Sequence, residues 1–78
     1  MRLNVDLPIK QQDIIDLLEA QEEPIYHFIG RNKNLRSQLQ FEVEKVPEDI
    51  ENLATYTKKL IKAQPYGGSI AFRVTTEE

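Results

Sequence analysis

At 78 residues, of which 40% are hydrophobic and 29% charged, the chain has the composition of one small folded domain and is too apolar for a disordered segment. Ten basic against thirteen acidic residues give a net charge of −3, the wrong sign for general nucleic-acid binding. With no cysteine, disulfides, thiolate metal sites and cysteine nucleophiles are all excluded.

Leu3, Val5 and Leu7 alternate with Arg2, Asn4 and Asp6, which predicts a strand with one buried face. Pro8 ends it and suits the start of a helix. That helix is expected from Lys10 to about Glu23, with Ile14, Leu17, Leu18 and Gln21 on one face and Asp13, Asp16, Glu19 and Glu23 on another. Pro24 closes it, and the apolar run Ile25 to Ile29 reads as a second strand. Gly30-Arg31-Asn32-Lys33-Asn34 has the chemistry of a turn. Leu35, Ser37, Leu39, Phe41 and Val43 then alternate with polar residues as far as Glu44, a third strand.

Val46-Pro47-Glu48-Asp49 predicts the opening of a second helix, with carboxylates at its positive end. Ile50, Leu53, Ala54, Thr57, Leu60 and Ile61 form its inner stripe, and Lys58, Lys59 and Lys62 suit its last turns. Pro65 and Gly67-Gly68 turn the chain into a final strand carrying Ile70, Phe72 and Val74, followed by a short polar tail over 75–78. The halves echo each other. Pro8 to Ala20 spans 12 residues and Pro47 to Ala63 spans 16, a difference of about one helical turn.

Two strand–helix–strand units in series predict a single α+β domain over 1–78, the ferredoxin-like split βαβ arrangement. Its antiparallel sheet has the order 4-1-3-2, with two helices on one face. The expected core sets Leu3, Val5, Leu39, Phe41, Ile70 and Phe72 against Ile14, Leu17, Leu18, Leu53, Leu60 and Ile61. In this topology basic residues gather at one pole, with Lys10, Arg31, Lys33 and Lys62 as a candidate anion-binding set and Arg36, Lys58 and Lys59 further down. Glu22, Glu23, Glu48, Asp49, Glu51, Glu77 and Glu78 gather at the other. Helix-end preferences alone account for Glu48, Asp49, Lys58, Lys59 and Lys62.

No glycine-rich phosphate loop, His–Glu metal motif or serine elbow occurs, so neither an enzyme, a cofactor nor a metal is expected. The outward residues of the third strand, Arg36, Gln38, Gln40, Glu42 and Glu44, include no aromatic on which a base could stack. Nucleic acid is therefore disfavoured, although phosphate binding around the 31–36 hairpin stays open as the alternative. The second strand is expected at a sheet edge with no charge fixed at neutral pH over Ile25, Tyr26, His27, Phe28 and Ile29. Either Tyr26 and Phe28 face the core and the other three face outward, or the reverse. The expected function is thus a non-catalytic interaction or regulatory module that associates with itself or a protein partner through residues 24–30. Met1 to Asp6 has no apolar h-region and no run approaches the roughly 18 apolar residues of a membrane span, so a cytoplasmic protein with no membrane association is expected.

Overall fold

The computed structural model describes residues 1–77. Its elements are β1 (Arg2–Asp6), α1 (Gln11–Glu19), β2 (Ile25–Arg31), β3 (Gln38–Glu44), α2 (Leu53–Lys62) and β4 (Arg73–Glu77). The four strands form one antiparallel sheet in the order β2-β3-β1-β4, which is the expected order read from the other edge. Because side chains alternate along a strand, the register Leu3↔Phe41, Val5↔Leu39 and Val5↔Val74 stacks apolar residues on one face. Leu3, Val5, Tyr26, Leu39, Phe41 and Val43 form a single buried cluster with Ile14, Ile15 and Leu18 of α1 and Leu53 and Ile61 of α2. Both helices therefore cover that face. Leu17, Leu60, Ile70 and Phe72, expected in the core, are only half-buried around its rim.

Both helices are shorter than their apolar patterns suggest, and side chains set the limits. At the end of α1, Ala20 N–H donates to Asp16 O and Gln21 N–H to Leu18 O, each at 3.1 Å, while the Gln21 amide donates to Leu17 O at 3.0 Å. This satisfies carbonyls that a longer helix would have covered, so residues 21–23 leave the helix before Pro24. The end of α2 repeats the device. Ala63 N–H reaches Lys59 O, Gln64 N–H reaches Ile61 O, and the Gln64 amide reaches Leu60 O at 3.5 Å.

The expected opening of α2 at Val46–Asp49 is corrected. Pro47-Glu48-Asp49 makes a separate turn closed by Ile50 N–H on Pro47 O at 3.1 Å. The helix starts six residues after Pro47, where Asn52 accepts a hydrogen bond from Thr55 N–H at 3.0 Å. The Asn52 side chain satisfies an orphan helix N–H and so fixes the start of the helix there. The echo between the halves thus resides in the helix ends. Most of the four extra residues lie ahead of α2, whose ten residues exceed α1 by one.

Two strand boundaries also move. Leu35 and Arg36 belong to a turn closed by Gln38 N–H on Leu35 O at 2.9 Å, so β3 begins at Gln38 and Leu35 is left 45% exposed. At the other end, Thr75, Thr76 and Glu77 are strand rather than tail, in register with Asn4, Leu3 and Arg2. β1 offers them a free edge, and threonine favours extended backbone. Glu78 lies outside the described residues.

Candidate functional site

The two expected regions, the β2 edge and the basic pole, adjoin each other in the fold. β2 is an edge strand, paired only to β3. Its register, Tyr26↔Val43 and Phe28↔Phe41, turns both aromatics to the core, where Tyr26 is 2% exposed. Tyr26 meets the Phe41 ring edge-on at a centroid distance of 6.4 Å, and Phe28 lies 5.4 Å from the same ring. Tyr26 Oη and Thr57 Oγ1 share a buried hydrogen bond of 2.9 Å, in which either hydroxyl can donate. Burial pushes the Tyr26 phenol above its ordinary pKa, with the Thr57 hydrogen bond partly offsetting this and nearby Tyr56 adding to it.

Ile25, His27 and Ile29 are left for the outward side. Ile25 is half-buried, His27 is exposed and Ile29 is 49% exposed. His27 Nε2 lies 3.5 Å from Glu44 Oε2, with both side chains mostly in solvent. A β-bulge shifts the register between Phe28 and Gly30, and Gly30 takes φ 153°, which residues with a side chain rarely adopt. The bulge is a form of edge protection that the sequence pattern does not reveal. It leaves Ile25–Phe28 as the regular part of the edge.

The pole forms where β1 ends and β3 and β4 begin, since Asp6 is in register with both Gln38 and Arg73. Two loops meet there, tied by Leu7 N–H on Ser37 O at 2.9 Å. Gln11, the first residue of α1, is the hub. Its amide nitrogen donates to Leu7 O at 3.1 Å and to Arg36 O at 3.4 Å, and its Oε1 accepts from Arg31 Nε at 3.0 Å. The Arg31 guanidinium carbon also lies 5.8 Å from the Phe28 ring centroid. Asn32 is spent inside its loop, donating to Gln38 Oε1 and accepting from Asn34 N–H, both at 2.8 Å.

Arg31, Asn32, Lys33 and Arg36 line a shallow concavity. Of the expected anion-binding set, the fold brings Arg31 and Lys33 together in it. Lys10, held at φ 62° ahead of α1, and Lys62, in the last turn of α2, are both outside the lining. Arg36 takes the place assigned to Lys62, because the turn over Leu35–Gln38 carries it back towards Arg31 instead of along a strand. Among the described residues the carboxylates beside a basic group are Glu42, next to the Met1 ammonium, and Glu44, next to the His27 ring, so Arg31, Lys33 and Arg36 have no carboxylate partner.

Sequence reasoning missed Gln11, Asn52 and the two acceptors Asn4 Oδ1 and Asp6 Oδ1, which are buried on the polar face of β1 without a hydrogen-bond partner. Their only signal was their position on the central strand. Among the described residues no three His, Asp or Glu side chains are grouped to hold a metal ion, and no helix is long and apolar enough to cross a membrane. Comparison with protein-family models, with curated proteins and with solved structures finds no match to this chain.

Proposed function

We propose that this is a ferredoxin-like, non-catalytic interaction module in which two copies pair antiparallel along β2. The observation that carries the reading is an uncovered edge strand whose outward residues, Ile25, His27 and Ile29, include no charge fixed at neutral pH. Exposed backbone groups along such an edge template a further strand.

The pattern of β2 also supports one register. Opposed residues in a ladder must point to the same face, which leaves alignments centred on a residue. Centring on His27 sets His27 against itself, Tyr26 against Phe28 and Ile25 against Ile29. Apolar then meets apolar on either side of the His27 pair, and the bulge at Ile29 falls at each end of the paired segment. The same alignment carries the acidic Glu22-Glu23 of one copy to the basic Arg31 end of the other. Pairing would add burial to a domain whose size leaves it marginal.

Sedimentation equilibrium over a concentration series tests this. A monomer–dimer equilibrium is expected, and it should shift to monomer in His27→Lys and Ile29→Lys with the melting temperature of the monomer unchanged. Both substitutions touch exposed side chains, unlike changes at Phe28, which supports the core. A protein that stays monomeric up to crystallisation concentrations overturns the proposal.

A further inference from the structure

We infer that the concavity lined by Arg31, Asn32, Lys33 and Arg36 is a binding site for a phosphomonoester dianion. Lysines at 58, 59 and 62 belong to the C-terminal half of α2, where the helix dipole favours positive charge. That explanation fails for Arg31, Lys33 and Arg36. They lie at a strand end and in the loop after it, and belong to neither helix. Three cations fall within six residues of a chain whose net charge is −3, and none has a carboxylate within ion-pair distance among the described residues. Their mutual repulsion is uncompensated in the structure as it stands.

The site is also held in shape. Arg31 is fixed at Nε by Gln11 and against the face of Phe28, and Gln11 is itself anchored to the backbone of both loops. With Nε spoken for, the remaining N–H groups of the guanidinium are those available to an anion. Asn32 uses both ends of its amide to brace the loop, so it positions the site without needing to touch the ligand. An arginine ordered in advance loses less freedom on binding than a mobile one. Lys33 and Arg36 are exposed, and among the described residues their side chains make no ion pair, which leaves them available to a ligand.

A phosphate group fits this set better than a carboxylate. It offers three oxygens and nearly two charges, matching three converging cations, and guanidinium forks bind it in bidentate fashion. Nucleic acid is the poorer fit, because among the described residues the polar face of the sheet offers no Phe, Tyr or Trp for stacking: it carries Arg2, Asn4, Asp6, Gln38, Gln40, Glu42, Glu44, Arg73, Thr75 and Glu77 in β1, β3 and β4, and Ile25 and His27 in β2. The inference stands independently of pairing along β2.

The test is a titration of the full chain with phenyl phosphate, followed by amide and Arg Nε–H NMR shifts, against chloride at equal ionic strength. Saturable shifts confined to residues 31–37 and to the Arg31 Nε–H are expected. Lys33→Gln with Arg36→Gln should weaken binding at least tenfold without lowering the melting temperature. Lys58→Gln with Lys59→Gln removes the same charge from α2 and should leave binding within twofold. Shifts no larger than those from chloride, or equal losses from the two double variants, overturn the site. Inorganic phosphate should compete with phenyl phosphate. A single-stranded oligonucleotide that binds more tightly than either at physiological salt overturns the assignment to a small phosphomonoester.

Discussion

Replacing Thr57 by valine exchanges one buried hydroxyl for a methyl of nearly the same size and leaves Tyr26 Oη stranded. The hydrogen bond it removes, 2.9 Å long and wholly buried, joins the edge strand β2 to α2, and so joins the first half of the chain to the second. An unsatisfied buried hydroxyl costs about 1–3 kcal/mol. In a domain of this size that lowers the melting temperature by roughly 4–8 °C for each kcal/mol. Tyr26→Phe should cost less, because the orphaned Thr57 hydroxyl can turn to a carbonyl one helical turn back. The double variant Tyr26→Phe with Thr57→Val strands neither partner, so it should lose less than the sum of the singles by about 1 kcal/mol or more. Urea unfolding followed by far-UV circular dichroism measures all four corners of the cycle. Additivity within about 0.3 kcal/mol would refute the claim that this contact couples the two halves.

The same pair contributes to behaviour in alkali. Burial raises the Tyr26 phenol above its ordinary value, so the folded chain holds this proton more tightly than the unfolded chain does. Below about pH 10 both states keep the proton and the contribution is fully present. As pH climbs from there towards the raised folded value, the unfolded chain ionises first and stability falls. Tyr66 is raised in the same direction, by burial and by nearby Asp13, so the wild-type slope is shared. The shallower slope of Tyr26→Phe isolates the part due to Tyr26.

Two further predictions concern backbone. A Cβ at Gly67 would strike Ile61 O and come within 2.6 Å of Lys62 Cα, so Gly67→Ala should cost about 1–3 kcal/mol, whereas Gly68→Ala, with nothing within 4 Å, should change the melting curve little. Asn52→Ala should lose about 0.5–2 kcal/mol by uncapping α2, and Asn52→Asp should retain most of it; equal melting curves for all three would show that the helix does not depend on this cap.

What the sequence made legible was whatever a period of two or 3.6 controls. The alternation around Leu3, Val5, Leu39 and Phe41 is enough to place four of the buried residues on one face of the sheet. It fails where a pattern and a hydrogen bond compete for the same residues. Leu35 keeps the alternation of β3 but sits in a turn, because a two-residue period cannot distinguish an exposed turn residue from a buried strand one. Gln21 shares the apolar face of α1 and looks like its continuation, yet its amide ends the helix. Thr75 to Glu77 carry no apolar signal at all, and their pairing along the edge of β1 makes them strand.

The candidate sites divide along the same line. The charge of residues 31–36 was plain from the sequence, while the hub that orders them was not. Gln11 is neutral, and its contact with Arg31 crosses 20 positions of chain. Arg31 also rests on Phe28, so one side chain of the β2 segment borders both proposed surfaces. In the antiparallel pairing centred on His27, the two basic hairpins lie at opposite ends of the dimer, each beside the Glu22-Glu23 of its partner. In such a pair their charges would not oppose association, and the neighbouring carboxylates would compete with a phosphate for the same cations. The two proposals are then coupled: whatever pairing removed from phosphate affinity, bound phosphate would remove from pairing.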